Sequence, residues 1–427
     1  FARVEAKPQI DRRNNRVQFV LQAEPSRRAY VRRIQVAGND RTRDEVIRRE
    51  FRQFEAAWYD SDKIRLSRDR VDRLGFFTQV NVETLEVPGA PDQVDLLFTV
   101  AEKPTGSISL GAGFSSAEKV ALSFGIRQEN AFGSGNYLAV EVNTSKFNRN
   151  LVLSTTDPYF TQTGISRTLD VFQRTTRPYL GDVDAYSLIN SGLGLRFGVP
   201  VTETDTVFVG INAEQTEIRE GTGLPDAYRE FGERFGTTST ALPLTLGWSR
   251  DGRDSALVPT RGSLQRVNAD MSVAGDIRYA RASYQYQQYI PLSKKYTLAF
   301  NTDLGWGQGL KGQPYPLFKN FFVGGLGSVR GFEQSTLGPA RQTSISNTAP
   351  IYLGGPTKLV FNAELLMPFP GAGNDRTLRL FGFTDIGSAF GEDEKISSQA
   401  LRASAGIGLG WISPMGPLRF SFATPIR

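Results

Sequence analysis

The sequence predicts a mostly β protein in which a 16-stranded antiparallel transmembrane β-barrel follows a smaller α+β domain. Three observations lead to this fold class. Long segments after Ser107 alternate between polar and apolar residues, as strands with one wet and one lipid-facing side do. Tight turns and longer connections separate these segments alternately, which is typical of outer-membrane barrels. No stretch reaches the roughly 18 consecutive apolar residues that a membrane-spanning helix requires.

The composition indicates more than one structural unit and excludes most familiar enzyme chemistry. With 427 residues, the chain is longer than a usual single domain. It contains no cysteine and no histidine, which excludes a thiol nucleophile, a disulfide framework, a Cys/His zinc site and a histidine general base. We therefore expect no enzyme activity, no cofactor and no metal site in this sequence.

The charge is moderately basic and unevenly distributed. The formal net charge is +6, and much of the excess lies in the first 75 residues, in pairs such as Arg32-Arg33 and Arg48-Arg49. Nucleic acid is one interpretation of such a basic region. A solvated periplasmic surface near anionic lipid headgroups is favoured, because no aromatic-interleaved basic motif accompanies the charges. Nucleic acid is therefore not an expected partner.

The first 104 residues are expected to form soluble α+β structure. Residues 1–28 alternate weakly and look like the last strands of a domain that begins upstream, since no signal peptide precedes them. Residues 29–104 follow a β-α-α-β-β pattern, which predicts an open three-stranded sheet with an available edge. The predicted elements are a strand at Tyr30–Val36, a helix opened by Thr42 in a capping box with Glu45, a helix at Ser61–Leu74 ended by Gly75, and a hairpin of strands at Val80–Val87 and Val94–Val100.

Residues 105–427 contain about fifteen alternating segments and no helical periodicity. In segment 266–273, for example, every second residue is apolar. Bacterial single-chain barrels usually have an even strand number, so a sixteenth strand is expected to be missing at the end. A soluble sandwich is the alternative, but segments of about ten to fifteen residues exceed its usual strand length. The longest predicted connections are Gly221–Phe235 and the loop 309–356.

The loop 309–356 carries the strongest candidate for a functional residue. It contains Val329-Arg330-Gly331-Phe332 and is too long and too rich in glycine for a plain hairpin. Residue alternation in the two following strands places Glu364 and Asp385 on the face expected to point to the barrel interior. A guanidinium can bind two carboxylates at once through its planar set of donors. The alternative is that Arg330 is an ordinary turn residue and both acids are solvated.

Several motifs resemble those of the BamA superfamily, whose members combine POTRA domains with an outer-membrane barrel. The loop motif around Arg330 looks like the arginine-bearing loop of that family, and 29–104 looks like its membrane-proximal POTRA domain. The resemblance implies that the loop folds into the barrel lumen and that Arg330 lies against interior acids. The other matching motifs are Gly38-Asn39-Asp40, Arg48-Arg49-Glu50, Arg73-Leu74-Gly75-Phe76-Phe77, Pro91-Asp92-Gln93-Val94-Asp95, Asp157-Pro158-Tyr159-Phe160, Phe383-Thr384-Asp385-Ile386-Gly387 and the segment Trp411–Leu418.

The resemblance also implies a function in outer-membrane protein assembly. Family members fold and insert β-barrel proteins through a lateral gate between the first and last strands. The corresponding gate segment here is Ser107-Ile108-Ser109-Leu110-Gly111. The implied partners are unfolded outer-membrane proteins, periplasmic assembly lipoproteins and outer-membrane lipid. The implied location is the bacterial outer membrane, with the POTRA domain in the periplasm.

Three other functions stay open on the sequence alone. A two-partner secretion transporter, or a related translocation factor, would share the arginine-bearing loop. A passive porin would conduct ions steadily and would have no use for a POTRA domain. An enzyme is disfavoured because no nucleophile-base pair or metal cluster is visible. The glycines in segment 106–114 would, in an ordinary barrel, serve only to let a strand bend.

Overall fold

The computed structural model describes most of the chain. The described residues are 2–11, 16–25, 28–115, 119–146, 148–177, 186–202, 204–221, 224–255, 258–293, 295–341, 350–371, 377–413 and 416–427. They form two compact units. The first consists of Phe1–Ser107 with Arg127–Leu138, and the second consists of Ile108–Ile126 with Ala139–Arg427. The domain boundaries after residues 28 and 104 stay predictions.

The first unit contains a hairpin and a small α+β sheet. In the hairpin, β1 (Ala2–Asp11) pairs antiparallel with β2 (Arg16–Pro25). The elements that follow are β3 (Tyr30–Ala37), α1 (Asp44–Arg48), α2 (Ser61–Arg73), β4 (Phe77–Glu86) and β5 (Gln93–Glu102). The strand order is β3-β5-β4, with β3 parallel and β4 antiparallel to the central β5. The predicted β-α-α-β-β order and three-stranded sheet are confirmed.

The helices and the sheet of this unit enclose one apolar core. Val31, Leu96 and Phe98 of the sheet, with Ile47 of α1 and Val71 of α2, are completely buried. Burying each such side chain stabilises the fold by about 1.5–3 kcal/mol. The alternation of β5, in which every second residue from Val94 to Val100 is buried, therefore determines which face of the sheet meets the helices.

The predicted capping box at Thr42 is wrong. The residue that caps α1 is Arg43, and its side chain makes no capping hydrogen bond. Thr42 is buried and has other partners: its amide donates to Glu102 Oε1 at 2.6 Å, and its hydroxyl accepts from Asn130 Nδ2 at 2.9 Å. Contacts between residues distant in sequence thus replace the local cap. The predicted end of α2 is confirmed, since Gly75 adopts a left-handed φ of 73°.

Glu102 holds the segment that precedes α1. Besides the bond from Thr42, its Oε2 accepts a hydrogen bond from the Arg41 amide at 3.0 Å. Burial by itself raises the pKa of the Glu102 carboxyl, but the hydrogen bonds from Thr42 and Arg41 lower the pKa by more. The net effect is a lowered pKa, so the charged carboxylate is the form that stabilises this segment.

Acid is therefore expected to loosen the segment before α1. A carboxyl with a lowered pKa contributes stability that is complete above its unfolded pKa, about 4.3 for glutamate. This stability is lost as the pH falls through the lower folded value. After correction for intrinsic exchange, the amides of Arg41 and Thr42 should lose protection against hydrogen exchange below about pH 4. The Glu102→Gln variant should have weaker protection at neutral pH and no such transition, and equal protection in both proteins would contradict this account.

The rest of the chain forms one large antiparallel sheet with two short strands and a helix in its connections. In chain order the elements are β6 (Gly106–Ser115), β7 (Lys119–Ala131), β8 (Asn136–Thr144), β9 (Asn148–Asp157), β10 (Ser166–Thr176), β11 (Tyr186–Pro200), β12 (Asp205–Glu220), α3 (Asp226–Phe235), β13 (Thr238–Asp251), β14 (Gly262–Gly275), β15 (Tyr279–Pro291), β16 (Thr297–Gly309), β17 (Ala340–Arg341), β18 (Ile351–Tyr352), β19 (Thr357–Pro368), β20 (Leu378–Phe390), β21 (Arg402–Ser413) and β22 (Gly416–Pro425).

In the described part of the chain, the large sheet has 15 strands, from β6 at one end of the strand order to β22 at the other, and β17 and β18 form a separate pair. Its mostly β class and strand number confirm the sequence prediction. The alternation also appears as expected: Met271 and Val273 of β14 are exposed, whereas Ser272 between them is buried. Among the described residues, no helix is long and apolar enough to cross a membrane.

One element of the sheet's connections contradicts the sequence prediction. Residues after Pro104 were expected to lack helices, yet α3 lies within the predicted connection Gly221–Phe235, of which residues 222–223 lie outside the described residues. Tyr228 and Phe231 of α3 are buried. They pack in an apolar cluster with residues of β11, β12, β15 and the loop 309–356. The helix forms because this cluster buries one of its faces.

Candidate functional site

The site is built around the long connection between β16 and β19. This connection contains a 3₁₀ turn at Leu317–Lys319 and the two-residue strands β17 and β18. Residues 342–349 of the predicted loop 309–356 lie outside the described residues. The described parts lie against the face of β19 and β20 that carries Glu364 and Asp385. Phe361 and Ile386, which have the opposite parity, are exposed.

A tight glycine turn positions Arg330. Gly324 and Gly325 adopt φ values of 114° and 89°, which residues with side chains rarely take. The turn is closed by a hydrogen bond from the Gly325 amide to the Val329 carbonyl at 3.0 Å. Val329 is completely buried and packs with Val323, Leu337, Val360 and Ala389. The neighbouring residue, Arg330, is thereby held against the strands.

Arg330 binds both predicted acids. Its Nε and Nη2 donate to the two oxygens of Asp385 at 2.7 and 2.6 Å, and its Nη1 donates to Glu364 Oε1 at 2.7 Å. The Arg330 backbone amide also donates to Asp385 Oδ2 at 3.0 Å. The side-chain exposure is 7% for Arg330 and 0% for Asp385. The interaction is therefore a bidentate, desolvated ion pair with a second carboxylate at its open side.

Neighbouring groups complete what we call the Arg330 cluster, namely Arg330, Asp385, Glu364, Asn362 and Phe383. Asn362 Nδ2 donates to Asp385 Oδ1 at 2.8 Å and to the Ser328 carbonyl at 2.7 Å. The guanidinium carbon of Arg330 lies 3.5 Å from the centre of the Phe383 ring, which is a cation–π contact. The cluster thus joins the loop to β19 and β20 through charge, hydrogen bonds and an aromatic face.

The other two residues of the loop motif lie beside the cluster. Gly331 has a φ of 89°, and a Cβ at this position would lie 3.2 Å from the Cβ of Ala423 on β22. Phe332 is partly buried against the cluster of Val323, Val329 and their neighbours. The motif therefore contacts β19 and β20 through Arg330 and Val329, and it approaches β22 through Gly331.

Sequence reasoning missed a second attachment of the same loop. Lys319 Nζ donates to Glu214 Oε2 of β12 at 2.6 Å, and both side chains are less than one-fifth exposed. Tyr315 and Phe321 of the loop lie where side chains at Gly307 and Gly305 of β16 would otherwise be. The glycine alternation in β16 was a visible signal for such close packing. Lys319 has no motif that could have identified it.

The predicted gate segment Ser107-Ile108-Ser109-Leu110-Gly111 lies in β6. Among the described residues, β6 has a hydrogen-bonded neighbour only in β7, and β22 has one only in β21. Ile108 and Leu110 are 72% and 81% exposed. A Cβ at Gly111 would lie 2.2 Å from Ser123 Oγ of β7, so a larger residue at this position would require the Ser123 side chain to move. The gate segment and the Arg330 cluster belong to different parts of the sheet.

Comparison with known proteins shows the family to which the chain belongs. The model of the Omp85 superfamily domain matches residues 130–427. The chain belongs to the Omp85 superfamily. A second family model, described as a surface antigen variable number repeat and named POTRA, matches residues 29–103. These two matches confirm the resemblance to a superfamily that combines POTRA domains with a barrel.

Among its Omp85 relatives, the chain is 37% identical to the outer membrane protein assembly factor BamA of Neisseria meningitidis serogroup B, over 100% of the chain and 58% of that protein. It is 27% identical to the BamA of Nitratidesulfovibrio vulgaris, over 100% of the chain and 52% of that protein. The chain thus spans a little more than half of the length of these curated relatives.

Two solved structures have the same fold. The crystal structure of BamA from Haemophilus ducreyi lacking POTRA domains 1–3 matches with a TM-score of 0.85 at 28% identity, over 100% of this chain and 86% of that one. CdiB from Acinetobacter baumannii matches with a TM-score of 0.60 at 12% identity, over 100% of this chain and 74% of that one. The second match is evidence for a shared fold only.

Proposed function

We propose that the chain belongs to a factor that folds β-barrel proteins and inserts them into the bacterial outer membrane. The observation that carries this proposal is the Arg330 cluster, in a chain that is similar over its whole length to BamA of Neisseria meningitidis. Residues 105–427 would form the barrel, 29–104 a periplasmic POTRA domain, and 1–28 the end of another. The function requires neither an enzyme active site nor a cofactor.

The physical problem that such a factor solves is the cost of unpaired backbone groups. Each unpaired N–H or C=O group costs several kcal/mol in hydrocarbon. A free strand edge at membrane depth lowers this cost, because an incoming strand can pair with it. Segment Ser107–Gly111 is proposed as that edge. Its exposed Ile108 and Leu110 would face lipid, and its glycine and serine residues would make closure against another strand weak.

The Arg330 cluster is proposed to hold the loop in the arrangement that insertion requires. Both acids lie on neighbouring strands, so Arg330 resists a displacement of the loop relative to either one. Breaking a buried ion pair by removing one partner costs about 3–5 kcal/mol. A displaced loop would leave the buried Asp385 charge without its cation, and this penalty keeps the loop attached during the strand movements of a gate.

The proposed partners follow from the surfaces of the two units. Unfolded outer-membrane proteins would pair with β6, and outer-membrane lipid would contact exposed apolar residues such as Leu244, Leu246 and Met271. Periplasmic assembly lipoproteins would bind the polar surface of the POTRA domain. No nucleic-acid partner is proposed.

Catalysed insertion of an unfolded reporter barrel tests this function. The full-length parent in liposomes should insert the reporter at least about tenfold faster than empty liposomes do, because tenfold corresponds to only about 1.4 kcal/mol of barrier. Heat-resistant mobility of the folded reporter on gels gives the time course. No acceleration together with steady ion conductance would contradict the proposal and would favour a transporter or a porin.

A further inference from the structure

A second arginine shares Glu364 with Arg330. Arg419 lies on β22, and its Nη2 donates to both carboxylate oxygens of Glu364 on β19. Arg330 donates to Oε1 of the same carboxylate. Glu364 therefore joins two cations that belong to different elements, the long loop and the strand at the end of the sheet.

The contact between Arg419 and Glu364 skips two strands. In the strand order, backbone hydrogen bonds link β19 to β20, β20 to β21 and β21 to β22, so two strands lie between β19 and β22. Three strand spacings correspond to about 14 Å, so both side chains must extend toward each other across the sheet. The pair is thus a direct connection between strands that share no backbone hydrogen bond.

Each of the two arginines lies over an aromatic ring that packs against a glycine of β21. On β21, a Cβ at Gly406 or at Gly408 would lie 2.6 or 2.2 Å from the rings of Phe383 and Phe381, so only glycine leaves room for these rings. The Phe383 ring lies under Arg330. The Phe381 ring lies under Arg419, with the guanidinium carbon 4.2 Å from the ring centre. The two cations therefore lie on neighbouring rings of one strand, on either side of Glu364.

The loop also meets β22 directly. Gly331, next to Arg330, lies close to Ala423 of β22 and Ser404 of β21: a Cβ at this position would be 3.2 Å from the Ala423 Cβ and 3.4 Å from the Ser404 Cβ. The loop is therefore linked to β22 in two ways, directly where Gly331 approaches Ala423 and indirectly through the Glu364 carboxylate that Arg330 and Arg419 share. A movement of β22 would change both contacts.

We infer that Arg419 is a positioning residue that couples the position of the long loop to that of β22. The inference rests on the proposed function, in which strands at the end of the sheet move when the gate opens. Coupling between two sites acts in both directions. Release of Arg330 should therefore loosen β22, and release of Arg419 should loosen the loop. Arg419 is 54% exposed, so its ion pair alone is worth little, and its effect comes from the carboxylate that it shares.

Hydrogen exchange of the full-length parent in liposomes, without client protein, tests this coupling. Arg419→Met should raise exchange about two- to fivefold in loop residues 323–337 as well as in β22, the range expected for a partly exposed ion pair. Arg330→Met should raise exchange in β22 in addition to the loop. Arg419→Lys keeps the charge but not the planar fork, so it should restore part of the protection.

Arg402→Met is the matched control, because Arg402 is an exposed arginine of β21 whose guanidinium donates to the Gln399 carbonyl. It should leave exchange in the loop unchanged. Faster exchange in β22 without any change in the loop after Arg419→Met would overturn the inference, and so would an equal effect of Arg402→Met. The exchange measurement needs no client, so it is independent of the insertion assay. If the proposed function is wrong, the parent would still show the coupling but would not insert the reporter.

Discussion

Replacing Arg330 with alanine is expected to slow catalysed insertion at least about tenfold and to detach the central part of the loop. The substitution removes two side-chain donors from Asp385, which is completely buried, and one from Glu364. The backbone amide of residue 330 is kept in the alanine variant, so Asn362 and this amide would still donate to the Asp385 carboxylate. Leaving such a charge without its cation costs about 3–5 kcal/mol.

Insertion kinetics and limited proteolysis of the loop, on the same liposomes, measure this prediction. Arg330→Lys should lie between the parent and the alanine variant, because lysine keeps the charge and loses the bidentate geometry. Arg402→Ala controls for the loss of an arginine elsewhere on the sheet. An unchanged insertion rate with a protease-sensitive loop would show that the attached loop is not required. A loop that stays protected would show that Lys319 and the apolar cluster hold it without Arg330.

The residues of the Arg330 cluster could be predicted because two independent signals meet there. Alternation in β19 and β20 gives the faces of Glu364 and Asp385, and a short motif identifies the arginine. In the structure all three are in contact. Alternation has a period of two residues in any strand, so it determines a face reliably but says nothing about which residues of other elements reach that face.

Three features of the structure could not be predicted, or were not predicted, from the sequence: Lys319, Arg419 and α3. Lys319 lies in irregular backbone, where no periodicity indicates a direction. Arg419 has the correct parity, but its partner is on a strand three places away in the sheet, a distance that the sequence does not reveal. Tyr228, Phe231 and Phe235 have helical spacing, yet one short helix among many alternating segments was overlooked. The capping-box prediction at Thr42 was wrong for a related reason. Glu102 and Asn130, which are distant in sequence, form hydrogen bonds with its polar groups.

Locking the proposed gate with a disulfide is expected to abolish nearly all catalysed insertion. The sequence contains no cysteine, so introduced pairs form without competition from this part of the protein. One cysteine replaces Ile108 on β6, and the other is introduced in the final strand of the barrel. A covalent bond prevents separation of the two strands, and an incoming strand then finds no free edge.

A second disulfide provides the matched control. Leu153 of β9 and Val171 of β10 are opposite each other in the register, and both are exposed to a similar extent. A cysteine pair at these positions would bond two strands that remain paired throughout the proposed mechanism. Insertion by this variant should match that of the parent under oxidising and reducing conditions. Loss of insertion in the control would show that cross-linking harms the sheet in general.

Insertion by the Ile108-locked protein before and after addition of a reductant, followed in a single liposome preparation, tests the lateral gate most directly. The proposed mechanism predicts no acceleration over empty liposomes while the disulfide is intact, and recovery of the parent rate once it is reduced. Insertion at the parent rate with the disulfide demonstrably intact would contradict a gate at β6.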